Sequence, residues 1–233
     1  MNLAVFDVDG TLLDNLADEE ACYAHALREQ LRLKKLDTDW ARYTHVSDDG
    51  IATEAYAREF GQSLPVPQRA ATIERFLELL RMAHQAPTPI TMMPGVATML
   101  AALTSRGWAV ALATGAWRLA AEYKLNAAGL SFAGMPLATS EDGPARVMIV
   151  MRAIARATAT FGVEKFARVV VIGDGVWDVC SAAELALPFV GLGAGERADR
   201  LRRVGASHIL TDYLNVDQTI RAFETAQIPR AAF

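Results

Sequence analysis

The 233-residue chain has only two cysteines, Cys22 and Cys180, far apart and in no metal-ligand spacing. They support neither a disulfide framework nor a zinc site, and they fit a reducing compartment. Basic charge is not in excess: 23 Lys and Arg face 27 Asp and Glu, a net −4. A nucleic-acid partner would call for a basic surface, so that class is set aside. A small anionic substrate is still allowed, because a few local cations can hold one. Also missing is any uninterrupted apolar run near the roughly 18 residues that a membrane span needs. Met1 to Asp7 has no basic stretch and meets a carboxylate too early for a secretory leader. The expectation is a cytoplasmic protein, monomer or homodimer, with no membrane partner.

Apolar residues make up 52% of the chain and charged residues 21%. That composition is globular and excludes a disordered chain. Short continuous apolar runs occur at Leu3 to Phe6, Ala109 to Ala113, Val169 to Ile172 and Phe189 to Leu192, with a shorter one at Ser207 to Leu210. Such runs suit strands buried on both faces. Between them, Val96, Met99, Leu100 and Leu103 repeat at helical spacing, as do Val147, Val150, Met151, Ile154 and Phe161. Strands alternating with amphipathic helices predict an α/β fold with a doubly wound parallel sheet.

From Leu16 to Ala86 the strand rhythm stops. Tyr23, Leu27 and Leu31 form one helical stripe, and Ile73, Phe76, Leu77 and Leu80 another. Pro87-Thr88-Pro89 closes the stretch as stiff, extended punctuation. Residues 16–87 are therefore read as an inserted α-helical cap domain, and residues 1–15 with 88–233 as the core.

Ligands of an open parallel sheet sit beyond the carboxyl ends of its strands. There the sequence offers Asp7-Val8-Asp9-Gly10-Thr11, Thr114-Gly115, and Gly173-Asp174-Gly175-Val176-Trp177-Asp178. Carboxylates brought together at one edge repel unless a cation neutralises them, and an all-oxygen set suits a hard ion such as magnesium.

Asp7-x-Asp9-Gly10-Thr11, the apolar run ending in Thr114, and Gly173-Asp174-x-x-x-Asp178, in that order along the whole chain, resemble the haloacid dehalogenase superfamily. The placement, and Pro94-Gly95-Val96 before the second motif, is similar to its phosphatases with a helical cap between the first two motifs, phosphoglycolate phosphatase among them. The resemblance implies a Rossmann-like core and Mg2+ held by the Asp7 carboxylate, the Asp9 backbone carbonyl and Asp174. Asp7 would be the nucleophile, forming an aspartyl-phosphate. Asp9 would protonate the leaving oxygen and then deprotonate water. Asp178 would position metal-bound water or a basic residue. Thr114 would donate to a phosphoryl oxygen, helped by the Gly115 amide at the start of a helix.

One departure from that pattern concerns the lysine the family supplies after its third strand. The corresponding stretch, Thr139 to Arg146, has none, and Arg146 is the candidate substitute. Arginine keeps its charge and can grip phosphate with two donors. Lys124 and Arg118 follow Thr114 too early for that role. In the cap, Arg42, Tyr43 and His45, within a polar run extending through Ser47, Asp48 and Asp49, are candidates for reading the substrate. Cys180 reads as a small buried apolar residue, Trp177 as packing, and Gly191 to Gly195 as a glycine-rich loop rather than a dinucleotide site. The resulting expectation is a magnesium-dependent phosphatase acting on a small phosphorylated metabolite. The alternatives are a phosphomutase of the same superfamily, and a non-catalytic phosphate-binding or docking protein.

Overall fold

The computed structural model describes residues 1–14, 19–84 and 90–230. The expected boundaries at 15/16 and 87/88, with Pro87-Thr88-Pro89, lie outside these residues. In chain order the elements are β1 (Asn2–Phe6), β2 (Leu13–Asp14), α1 (Glu19–Leu31), α2 (Asp48–Phe60), α3 (Val66–His84) and β3 (Thr91–Met92). There follow α4 (Val96–Ser105), β4 (Trp108–Ala113), α5 (Arg118–Ala127), β5 (Leu137–Ala138), α6 (Arg146–Phe161) and β6 (Arg168–Gly173). The chain continues through α7 (Val176–Glu184), β7 (Phe189–Leu192), α8 (Gly195–Arg203), β8 (His208–Leu210) and α9 (Val216–Thr225).

Six strands form one parallel sheet in the order β5-β4-β1-β6-β7-β8. The chain leaves β1 for β4 and β5 on one side, then returns to β6, β7 and β8 on the other. This reversal places β1 at the switch point, where helices diverge to opposite faces and leave a crevice. The five runs seen in the sequence are all strands. β5 went unread because two residues carry too little pattern, and so did β2 and β3, which pair antiparallel as Leu13 with Met92 and Asp14 with Thr91. That short ribbon ties the chain where it leaves the sheet to the chain where it returns from the helical segment.

Alternation along the strands divides the core into two layers. Leu3 and Val5 of β1 pack with Ala109, Ala111 and Ala113 of β4 against Ile149, Val150, Ala153 and Ala157 of α6. Three alanines on that face let α6 lie close to the sheet and bring its first residue, Arg146, over the sheet's carboxyl edge. Ala4 and Phe6 face the other layer, with Phe223 and Tyr213 edge-on to Phe6.

Among the described residues, the helical segment does not have a core of its own. Buried residues of α1, α2 and α3 join a single apolar cluster with α4, α5 and the sheet. Trp117, fully buried ahead of α5, packs on Tyr23 of α1 and Phe76 of α3 at ring-centroid distances of 5.5 and 5.9 Å. Burying these large rings together is a substantial apolar contribution, and it fastens the helices to the core. No helix among the described residues is long and apolar enough to cross a membrane.

Candidate active site

Asp7 immediately follows β1, and its amide continues the ladder by donating to the Ile172 carbonyl at 2.9 Å. Its side chain is buried. Gly10 then turns the chain with a φ of 72°, a left-handed conformation suited to glycine. A Cβ at Gly10 would also collide with the Asp174 carboxylate, so both backbone and space demand glycine there. Thr11 approaches Asp7 Oδ2 at 3.4 Å and Asp174 Oδ1 at 3.5 Å through its hydroxyl, which is the donor in both.

Arg146 lies between the carboxylates. Its Nη2 donates to Asp7 Oδ1 at 2.7 Å and to Asp178 Oδ1 at 2.5 Å, and its Nε reaches Asp178 Oδ1 at 3.2 Å. Asp178 is itself fixed, because its Oδ2 accepts the Gly175 amide at 3.0 Å at the start of α7. Gly115 makes room for the guanidinium: a Cβ there would stand 2.5 Å from Arg146 Nη1. Arg197 of α8 pairs with Asp174 Oδ2 at 3.1 Å.

One carboxylate oxygen from each of Asp7, Asp174 and Asp178 lies within 4.8 Å of the others, a set that could hold a metal ion. Its electrostatics call for a cation. Burial pushes the Asp7 carboxyl well above the ordinary range; the Arg146 guanidinium pulls it down, and the Asp178, Asp174 and Asp9 carboxylates push it up. Asp174 is raised to about 7, by burial first and Asp178 second. Arg146 and Arg197 together do not offset this repulsion, and an oxygen-only donor set with excess negative charge fits a hard divalent ion.

Thr114 follows β4 and is buried. Its Oγ accepts the Ala116 amide at 3.0 Å, which leaves the hydroxyl proton free to donate elsewhere. The expected helix start at Gly115 is corrected: α5 begins at Arg118, because Thr114 to Trp117 form a bend against α2. In that bend the Gly115 carbonyl accepts the Asp48 amide at 2.8 Å, and the Trp117 amide donates to Asp48 Oδ2 at 2.9 Å.

Asp9 points to different partners. Its Oδ1 is 2.6 Å from Lys124 Nζ, and the same ammonium donates to Glu19 Oε1 of α1 at 2.5 Å. Lys124 is 1% exposed. Burial and the neighbouring carboxylates raise Glu19 to about 7, against the pull of Lys124, and Asp48 to about 8. Lys124, Glu19 and Asp48 were not among the functional residues read from the sequence as catalytic. The signal for Lys124 was available: it interrupts the buried stripe of Ala120, Ala121 and Leu125 on α5.

The cap candidates are distributed unevenly. Arg42 is exposed and pairs with Asp37 and Asp39, and Tyr43 is buried with its hydroxyl donating to the Asp37 carbonyl at 2.9 Å. His45 is half-buried against Gly50. The core is met slightly later in the chain, where Ser47 Oγ donates to the Pro144 carbonyl at 2.7 Å and Asp48 binds the Thr114 loop. The α2 N-terminus, capped by Ser47, explains this, since its first turn inserts between the two core loops. Cys180 is also corrected: it is exposed on α7, whose buried face is Asp178, Val179, Ser181 and Ala182. Trp177 is partly exposed and lies over Gly175.

Residues 1–185 match the family model described as haloacid dehalogenase-like hydrolase. The chain belongs to that family. No curated protein matches the sequence. Among solved structures, a hydrolase from Pseudomonas syringae superimposes with a TM-score of 0.71 at 24% identity, covering 97% of this chain and 100% of that one. CbbY from Rhodobacter sphaeroides, in complex with phosphate, gives 0.63 at 19% identity, covering 92% and 95%. The β-phosphoglucomutase of Clostridium difficile gives 0.66 at 15% identity, covering 95% and 96%. At these identities the likeness is one of fold. The family match adds that the Asp7 and Asp174 motifs both lie within the matched residues.

Proposed function

We propose that this member of the haloacid dehalogenase-like hydrolases is a magnesium-dependent phosphatase acting on a small phosphomonoester through an aspartyl-phosphate at Asp7. The observation that carries this reading is the contact of Arg146 with Asp7, 2.7 Å apart, inside a cluster of three convergent carboxylates. Arg146 serves where the family's lysine would. It orients the nucleophilic oxygen and gives the transferring phosphoryl group a fixed cation.

Asp7 attacks phosphorus in line, and the bond to the leaving oxygen breaks as Asp9 gives that oxygen a proton. Water then attacks the phosphorus of the aspartyl ester and Asp9 takes its proton, so Asp7 is released as a carboxylate. The Thr114 hydroxyl and the Gly115 amide supply further donors to phosphoryl oxygens. Mg2+, held by Asp7, Asp174 and the Asp9 backbone carbonyl, would offset the negative charge of nucleophile and phosphate. In this reading Asp178 anchors Arg146. Residues 16–87 act as a cap whose α2 N-terminus covers the core loops and encloses the substrate, in keeping with the docking of Ser47 and Asp48 on those loops. The phosphate bound by CbbY is consistent with such a site.

The test is magnesium-dependent release of inorganic phosphate from p-nitrophenyl phosphate and from a panel of phosphorylated metabolites. The expected result is turnover that disappears with chelator and in Asp7→Asn. Silence across the panel would favour a binding role, and conversion of a hexose 1-phosphate to its isomer without free phosphate would identify a mutase.

A further inference from the structure

Resting on that reading, we infer that Lys124, clamped by Glu19, is a positioning residue that fixes the Asp9 carboxylate for its proton transfers. A lysine in the buried stripe of a helix is costly unless its charge is matched. Lys124 Nζ has two matches, Asp9 Oδ1 at 2.6 Å and Glu19 Oε1 at 2.5 Å. These three residues come from different parts of the fold: the loop after β1, the core helix α5 and the first turn of α1. Engaging Oδ1 leaves Oδ2 as the oxygen of Asp9 that meets the proton. A short charge-assisted contact restricts the carboxylate's rotation, which an exposed aspartate would not experience.

The pairing bears most directly on the second half of the reaction. There Asp9 must wait as a carboxylate, accept a proton from water, and see the phosphorus–oxygen bond to Asp7 break. Lys124 keeps its own protons throughout and holds the acceptor in line. In the first half with p-nitrophenyl phosphate, the leaving phenolate departs without needing a proton. The inference therefore separates the two half-reactions.

The experiment measures kcat and kcat/KM of Lys124→Met and Glu19→Gln with p-nitrophenyl phosphate and Mg2+, with thermal melts to establish folding. General-base assistance is worth roughly 10²- to 10⁴-fold. Losing its alignment should lower kcat of Lys124→Met by about tenfold or more, while kcat/KM stays within about threefold. Acid-quenched Lys124→Met should also hold more phosphoryl-enzyme than wild type. Glu19→Gln should show the same split at smaller size, and Lys124→Arg should recover part of the loss. An equal fall in kcat and kcat/KM, which places the loss in the first half-reaction or in the amount of active enzyme and not in the second half, would overturn the inference, as would no change in either. Should Lys124→Met fail to fold, the split in Glu19→Gln decides alone. A wild type with no turnover would defeat the phosphatase reading and this inference with it, whereas an active wild type without the split defeats only this one.

Discussion

Asp7 and Asp9 stand two residues apart, yet the fold surrounds them oppositely. Asp7 shares one arginine with Asp178 and sits within an acidic group that includes Asp174, so negative charge is left over. Asp9 faces a lysine, which Glu19 also binds, on the side of the helical segment. The divergence follows from the end of β1 at Phe6, which leaves both residues beyond the strand. Strand residues at i and i+2 would share a face, and only leaving the strand sends the two carboxylates to separate neighbours. The difference teaches how one short motif supplies two kinds of carboxylate. In the proposed reaction the first would be poised against cations that can grip phosphate, and the second steadied for moving protons.

The comparison can be broken most severely at Asp7, the proposed nucleophile. Asp7→Asn should bring phosphate release down to the level of the blank while the melting temperature holds or rises, since a repelled charge is removed from the cluster. A variant that unfolded instead would mean that Asp7 is needed for structure. Next in size is Arg146→Ala, which leaves two buried carboxylates facing each other. Activity should fall about 10²- to 10³-fold, and breaking the buried ion pair should cost about 3–5 kcal/mol in chemical denaturation. Activity near wild type would show that another cation holds Asp7.

Gly10→Ala should follow, because the new methyl meets both an unfavourable φ and the Asp174 carboxylate. A loss of about 1–3 kcal/mol in stability is expected, together with weaker Mg2+ binding measured by calorimetry. The smallest effect concerns pH. Asp174 rises from 3.8 to about 7 in the folded protein, so the folded state keeps a proton that the unfolded chain releases. Stability of the metal-free protein should therefore decline as pH rises from about 4 to about 7 and stay reduced above. A cation bound at the cluster removes that penalty, so Mg2+ should raise the melting temperature by a few degrees at pH 8 and by less at pH 5. Equal shifts at both would separate Mg2+ binding from the acidic group.

Much of this arrangement was legible from the sequence. The buried strands announce themselves as apolar runs because a parallel sheet covered on both faces needs no alternation. The residues just beyond them, Asp7, Thr114 and Asp174, then fall at one edge by topology alone. Arg146 could be suspected from the lysine missing between Thr139 and Arg146, but its contact with Asp7 depends on how closely α6 lies on the alanines of β4. Three things were hidden. The Lys124–Glu19 pair joins residues 105 apart, and helical periodicity shows which face of α5 is buried without saying what waits opposite. The role of Ser47 and Asp48 was obscured because polar residues in a helix's first turn look alike whether they cap, face water or dock. The shared core of the helical segment was equally out of view, since Trp117 gives no sign in sequence that it inserts between α1 and α3.

The most direct test stops the reaction of wild-type enzyme with p-nitrophenyl phosphate in acid within the first turnover and maps the phosphoryl group by mass spectrometry of the peptides. The account predicts one added phosphoryl group on Asp7, absent from Asp7→Asn. A phosphoryl group found on Asp9 or another residue, or turnover with no covalent species at any time point, would contradict it.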